Sequence, residues 1–76
     1  MRVTVKLFAA FRKGRFEESQ REYADLTTVG EVIQDLHLPN HKLGSILLNT
    51  RHVGKSLPLN EGDTLSFFPL VGGDCR

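Results

Sequence analysis

Seventy-six residues leave room for one domain, because two hydrophobic cores could not be buried in so short a chain. With 39% hydrophobic and 25% charged residues and a net charge of +1, the composition is that of an ordinary globular protein, and neither nucleic acid nor a membrane is expected as a partner. No stretch approaches the roughly 18 apolar residues that span a bilayer, and the single cysteine, Cys75, has no internal disulfide partner, so a cytoplasmic location is expected.

At the N-terminus Val3, Val5 and Leu7 alternate with Arg2, Thr4 and Lys6, the period of a strand with one buried face and unlike the apolar run of a signal peptide. Phe8 breaks that pattern by placing a large aromatic on the polar side. Ala9 to Arg15 is expected to be a loop ending in a Lys13-Gly14 turn, with Arg12, Lys13 and Arg15 as a solvated basic cluster. Phe16 to Tyr23 reads as an exposed edge strand, blunted by Glu17, Glu18, Arg21 and Glu22.

Thr28-Val29-Gly30-Glu31 fits a capping box, and Val29, Val32, Ile33 and Leu36 follow as one apolar stripe, so a helix is predicted. Pro39 closes it near Leu38, and a short second turn is expected from Asn40 to Leu43. Ile46-Leu47-Leu48 predicts a buried strand, followed by a polar turn and a short segment at His52-Val53. Asn60-Glu61-Gly62-Asp63 is expected to be a turn, with Gly62 free to take positive φ. The last predicted strand is Thr64 to Phe68, with Leu65 and Phe67 inward and Pro69 ending its pairing. The order predicts an α+β domain over residues 1–71, a mixed sheet of four or five strands on one main helix. Residues 72–76 form a separate C-terminal tail, with Leu70 onward trailing from the body.

Little in the chain suggests catalysis. Gly54-Lys55-Ser56 ends like a phosphate-binding loop, but the position five residues before Gly54 is Asn49 where glycine is required. His37 and His41 are spaced like ligands on a helix, yet Pro39 lies between them and no cysteine pair accompanies them. Cys75 lies in the tail, where no neighbouring base is held in fixed geometry. Neither a metal nor a bound cofactor is expected, and the chain is not expected to be an enzyme.

The segment Leu59-Asn60-Glu61-Gly62-Asp63-Thr64-Leu65-Ser66-Phe67-Phe68-Pro69-Leu70-Val71-Gly72-Gly73 resembles the C-terminal signature of the ThiS/MoaD family of sulfur carriers, with the molybdopterin synthase small subunit as the nearest pattern. Leu7-Phe8-Ala9 with Arg12 is similar to the family's first strand and its exit. Leu47-Leu48-Asn49 followed by Arg51-His52-Val53 resembles the family's Val-Asn-x-x-x-Val hairpin.

The resemblance implies a ubiquitin-like β-grasp fold and a carrier function in molybdopterin-type cofactor biosynthesis. An E1-like partner would use ATP to adenylate the carboxylate of Gly73, sulfur would convert it to a thiocarboxylate, and a synthase would accept that sulfur. Gly72 would thread the tail through a channel too narrow for a side chain. Phe8, Phe68 and His52 would lie on the partner-binding face, with Leu70 and Val71 leading from it into the tail.

Asp74-Cys75-Arg76 follow Gly73, so Gly73 sits in a peptide bond and the carrier reading needs a peptidase that cuts after it. Leu70 also replaces a second proline, and the spacing from Pro69 to Gly72 is one residue shorter than the molybdopterin-type pattern. Other readings remain open: a ubiquitin-like modifier joined to lysines through Gly73, a carrier for thiamine thiazole or amino-acid biosynthesis, an uncleaved binding domain, and a persulfide carried on Cys75.

Overall fold

In the computed structural model, which describes residues 1–70, the N-terminal alternation becomes strand β1 (Arg2–Leu7), with Val3, Val5 and Leu7 buried. Four more strands follow: β2 (Glu18–Glu22), β3 (Leu43–Leu48), β4 (Arg51–His52) and β5 (Thr64–Pro69), with helix α1 (Val29–Asp35) between β2 and β3. They form one five-stranded mixed sheet in the order β2-β1-β5-β3-β4, with β1 and β5 parallel and the other neighbours antiparallel. This is the predicted α+β architecture, and the five strands with one helix make it a ubiquitin-like β-grasp. β2 lies at the sheet edge, as its charge pattern requires.

Helix α1 starts where its capping residues place it. The Thr28 hydroxyl accepts from the Glu31 N–H at 3.3 Å, and the Glu31 carboxylate accepts from the Thr28 N–H at 2.8 Å. The amides of Val29 and Gly30 donate to the carbonyls of Leu57 and Lys55, so a loop from beyond β4 satisfies the first turn. Val29, Val32, Ile33 and Leu36 pack with Val3, Val5, Leu65 and Phe67 in one core between helix and sheet.

The helix ends at Asp35, earlier than Pro39 suggested. His37 adopts a left-handed conformation (φ 56°). Its N–H donates to the Gln34 carbonyl, and the Leu38 N–H donates to the Ile33 carbonyl, each at 3.1 Å. That pair of bonds is a Schellman closure, usually built on glycine, and here a histidine occupies the glycine position. His37→Gly is therefore expected to stabilise the domain by about 0.5–1 kcal/mol, read as a rise in the urea midpoint. An unchanged or lower midpoint would contradict a strained His37.

Four further expectations need correction. The Ala9–Arg15 segment is not a plain loop: Ala9–Arg12 forms a 3-10 turn that buries Phe11, although Gly14 does supply the expected turn at φ 74°. β3 begins at Leu43 and its apolar run is only half buried. Pro69 remains in the ladder, opposite Leu43. The Leu70 N–H donates to the Lys42 carbonyl at 2.8 Å, so Pro69 and Leu43 form a non-hydrogen-bonded pair. The proline's missing donor then faces the side where β1 has already ended, and no bond is lost. The same contact tethers Leu70, which was expected to trail free.

Between β2 and α1, the Tyr23 hydroxyl donates to the Asp35 carboxylate at 3.0 Å. Partial burial, then that bond and the negative charge of Asp35, push the Tyr23 pKa up from 10.0 to about 12. The raised folded-state value means the contact contributes fully below pH 10 and is lost as pH rises through about 12. Spectrophotometric phenolate titration should give a midpoint near 12 in the folded chain, and stability should fall across that window. A midpoint near 10 would show that the contact does not form in solution.

Candidate functional site

The outer face of the sheet, opposite α1, follows from register. Cross-strand partners share a face, so the pairs Ser45–Phe68, Leu47–Ser66, Leu47–His52 and Lys6–Ser66 place these side chains together on the outside. The intervening residues Ile46, Leu48, Leu65 and Phe67 point to the helix side and pack with the core.

Phe8 and Phe68 meet on this outer face. Their rings stack with centroids 4.3 Å apart and an 11° angle between planes, and both remain half exposed. The Arg12 guanidinium lies 5.9 Å from the Phe8 ring centre, so the 3-10 turn supports the stack from one side without covering it. Beside Phe68 a shallow groove of about 360 Å³ is lined by Ala9, Ser45, Leu47, His52, Phe68 and Pro69. The structure therefore brings together the predicted residues Phe8, Phe68 and His52.

Leu47 and Ser45 were missed as members of this face. The apolar run Ile46-Leu47-Leu48 read as wholly buried, yet strand parity turns its middle residue outward. A leucine of outward parity is the signal that could have found it.

Leu70 follows directly after the face and is 60% exposed. It borders a second groove, of about 600 Å³, with Phe11, Pro39 and Pro69 as apolar walls and Arg15, His41 and Lys42 as basic ones. Arg15 is held there by hydrogen bonds from its guanidinium to the carbonyls of Phe11 and His37. His37 and His41 lie on this side, and among the described residues no three metal-ligating side chains come together. The predicted Val71, Gly72 and Gly73, together with Asp74, Cys75 and Arg76, lie outside the described residues.

What this arrangement can do chemically is bind. It offers an apolar, aromatic surface at the foot of the strand that leads towards two glycines. No described helix is long and apolar enough to cross a membrane.

Solved structures with this fold include the putative molybdopterin converting factor subunit 1 from Pyrococcus furiosus, with a TM-score of 0.77 and 26% identity over 93% of this chain and 99% of that one. The complex of subunits 1 and 2 of molybdopterin-converting factor from Helicobacter pylori matches with a TM-score of 0.67 and 25% identity, over 93% and 96% of the two chains. Small archaeal modifier protein 1 of Haloferax volcanii shares the fold at a TM-score of 0.76 and 22% identity, over 92% of this chain and 98% of that one. Among curated proteins none matches the chain. The sequence profile of the ThiS family matches residues 5–73, from the middle of β1 through the second glycine. With that match lying on a β-grasp sheet whose open aromatic face adjoins the exit of β5, the chain belongs to the ThiS family of small ubiquitin-like carrier proteins.

Proposed function

We propose that this chain is a sulfur carrier that acts through Gly73 after a peptidase has hydrolysed the Gly73–Asp74 bond. The freed carboxylate attacks the α-phosphate of ATP on an E1-like partner, pyrophosphate leaves, and the poor electrophile becomes an acyl adenylate. A persulfide on a partner then displaces AMP, and a thiol reductant cleaves the acyl disulfide to leave the thiocarboxylate. A synthase takes the sulfur for cofactor assembly of the molybdopterin type. The chain supplies no catalytic group and binds no cofactor; it presents the reacting carboxyl group and the surface by which partners hold it.

The observation that carries this reading is the stacked Phe8–Phe68 pair beside the Leu47–His52 groove. Large aromatics on the face away from the core are not needed to build the core. They lie at the end of the sheet from which the family match continues to Gly73. Aromatic anchors at a rim of polar residues are the usual energetic centre of a protein interface. Glycine at 72 and 73 suits delivery of a carboxyl group into a channel that admits backbone only. The molybdopterin converting factor subunits among the structural relatives favour that pathway over thiazole or amino-acid biosynthesis.

Intact mass of the untagged protein from its native host tests the proposal. Loss of Asp74-Cys75-Arg76 with exchange of one oxygen for sulfur is the expected result. A form that retains all three residues unmodified while sulfur-containing cofactors are being made would overturn it. A branched species joined to a lysine through Gly73 would replace it with the modifier reading.

A further inference from the structure

Gly44 occupies a place in the fold that neither its sequence context nor its backbone conformation explains. It sits on β3, where the register against β5 shifts: Leu43 faces Pro69 and Ser45 faces Phe68, so Gly44 is the extra residue of a bulge. Its φ is not in the left-handed region, unlike those of Gly14 and Gly62, so the conformation alone would accept any residue. Space is what demands glycine. A Cβ on Gly44 would lie 2.8 Å from the Pro69 carbonyl oxygen, 3.0 Å from its carbon and 3.1 Å from the Leu70 Cα. All three are backbone atoms, which cannot swing aside as the end of a side chain can.

The same few residues hold the chain from the other side. The Leu70 N–H donates to the Lys42 carbonyl at 2.8 Å, one step beyond the bulge. Leu70 is thus held by its hydrogen bond to the Lys42 carbonyl and by close approach to the bare face of Gly44, while its side chain stays 60% exposed. The grip does not bury the leucine. It sets the point at which the backbone leaves the sheet.

From these contacts we infer that Gly44 is a positioning residue, which lets the bulge clamp Leu70 and so fixes the point from which the chain continues to Gly72 and Gly73. That point matters on the carrier reading, on which this part of the inference rests. A partner that docks on the outer face holds the body, and Gly73 must reach a reacting centre fixed relative to that body. Three residues beyond Leu70 span at most about 10 Å, so the place where Leu70 is held limits where Gly73 can reach. Misplacement of about 1 Å in a reacting group can lower a rate by as much as a hundredfold. Gly44 touches no partner in this account and acts only through Leu70.

The test compares Gly44→Ala with Gly54→Ala, the latter at a glycine whose added Cβ would meet nothing within 4 Å. Each variant is prepared as residues 1–73, and amide exchange is followed by NMR beside ATP–pyrophosphate exchange catalysed by the host's adenylating enzyme. In wild type the Leu70 amide should exchange at least about tenfold more slowly than an unprotected one. In Gly44→Ala that protection should vanish while Val5 and Leu65 stay protected. The adenylation kcat should fall about tenfold or more with KM unchanged, and Gly54→Ala should match wild type in both. Retained protection at Leu70 in Gly44→Ala, or an unchanged kcat, overturns the inference. Should Gly44→Ala fail to fold, an ester in place of the Leu70 amide removes only the N–H: a lowered kcat at constant KM supports the clamp, and wild-type kinetics refute it. If wild type itself is not adenylated, the carrier reading fails, and Leu70 exchange still decides whether the clamp exists.

Discussion

Phe67→Ala is expected to remove roughly half of the domain's stability. Phe67 is fully buried in β5, which lies between β1 and β3, and its ring packs in the core under α1. Truncating a buried phenylalanine costs about 3–5 kcal/mol, from lost transfer energy plus the cavity left behind. A domain of this length has only about 4–11 kcal/mol to lose, and its single sheet and short helix offer few atoms to collapse into the gap. Urea unfolding followed by circular dichroism should show the midpoint falling by roughly half. A loss below about 1 kcal/mol would mean the core can close around the cavity, which dense packing argues against.

The adjacent residue should behave in the opposite way. On the proposed carrier function, Phe68→Ala is expected to weaken binding of the adenylating partner by roughly thirtyfold or more, the scale of an interface hot spot of about 2 kcal/mol. Its cost to the fold should be limited to the lost stack on Phe8, about 0.5–1.5 kcal/mol, because the ring is half exposed and outside the core. Calorimetric titration against the partner, with urea unfolding of the free chain, separates the two effects. Equal losses in affinity and stability would show that the stack serves the fold. Near wild-type affinity would move the docking surface elsewhere, with the basic-walled groove beside Leu70 as the next candidate. Phe8→Ala combined with Phe68→Ala in a double-mutant cycle would measure how far the rings act as one unit.

The contrast between these neighbours was legible before any coordinates. Strand alternation alone puts Phe67 inside and Phe68 outside, and the same parity places Phe8 opposite Val3, Val5 and Leu7. His52 was placed through its hairpin position, and its cross-strand pairing with Leu47 then brought it to the same face. Leu47 escaped because a run of three apolar residues carries no alternation, and only its pairing with Ser66 and His52 shows that it lies on the face away from α1.

Local chemistry also decided the start of α1, whose capping bonds join residues three apart, and the turns at Gly14 and Gly62, where positive φ selects glycine. Its end was less legible, since His37 takes the left-handed position that sequence rules reserve for glycine, and Pro39 drew attention two residues too late. Phe11, with two alanines before it and Arg12-Lys13 after it, gave no period to read, and only the approach of the sheet and helix turns it into core.

What the sequence by itself determined rests on neighbours within a few residues: the parity of β1 and β5, the helix start, the turns at Gly14 and Gly62, and the succession of elements that limits the chain to a helix on a mixed sheet. What the tertiary structure decided depends on segments far apart in the chain coming to within a few ångströms. The bulge at Gly44 exists only because β5 lies against β3, and the pairing that leaves Pro69 without a lost bond depends on where β1 stops. Register between distant strands is chosen by packing and by closure of the hydrogen-bond ladder, and no local periodicity encodes a contact between residue 44 and residue 69.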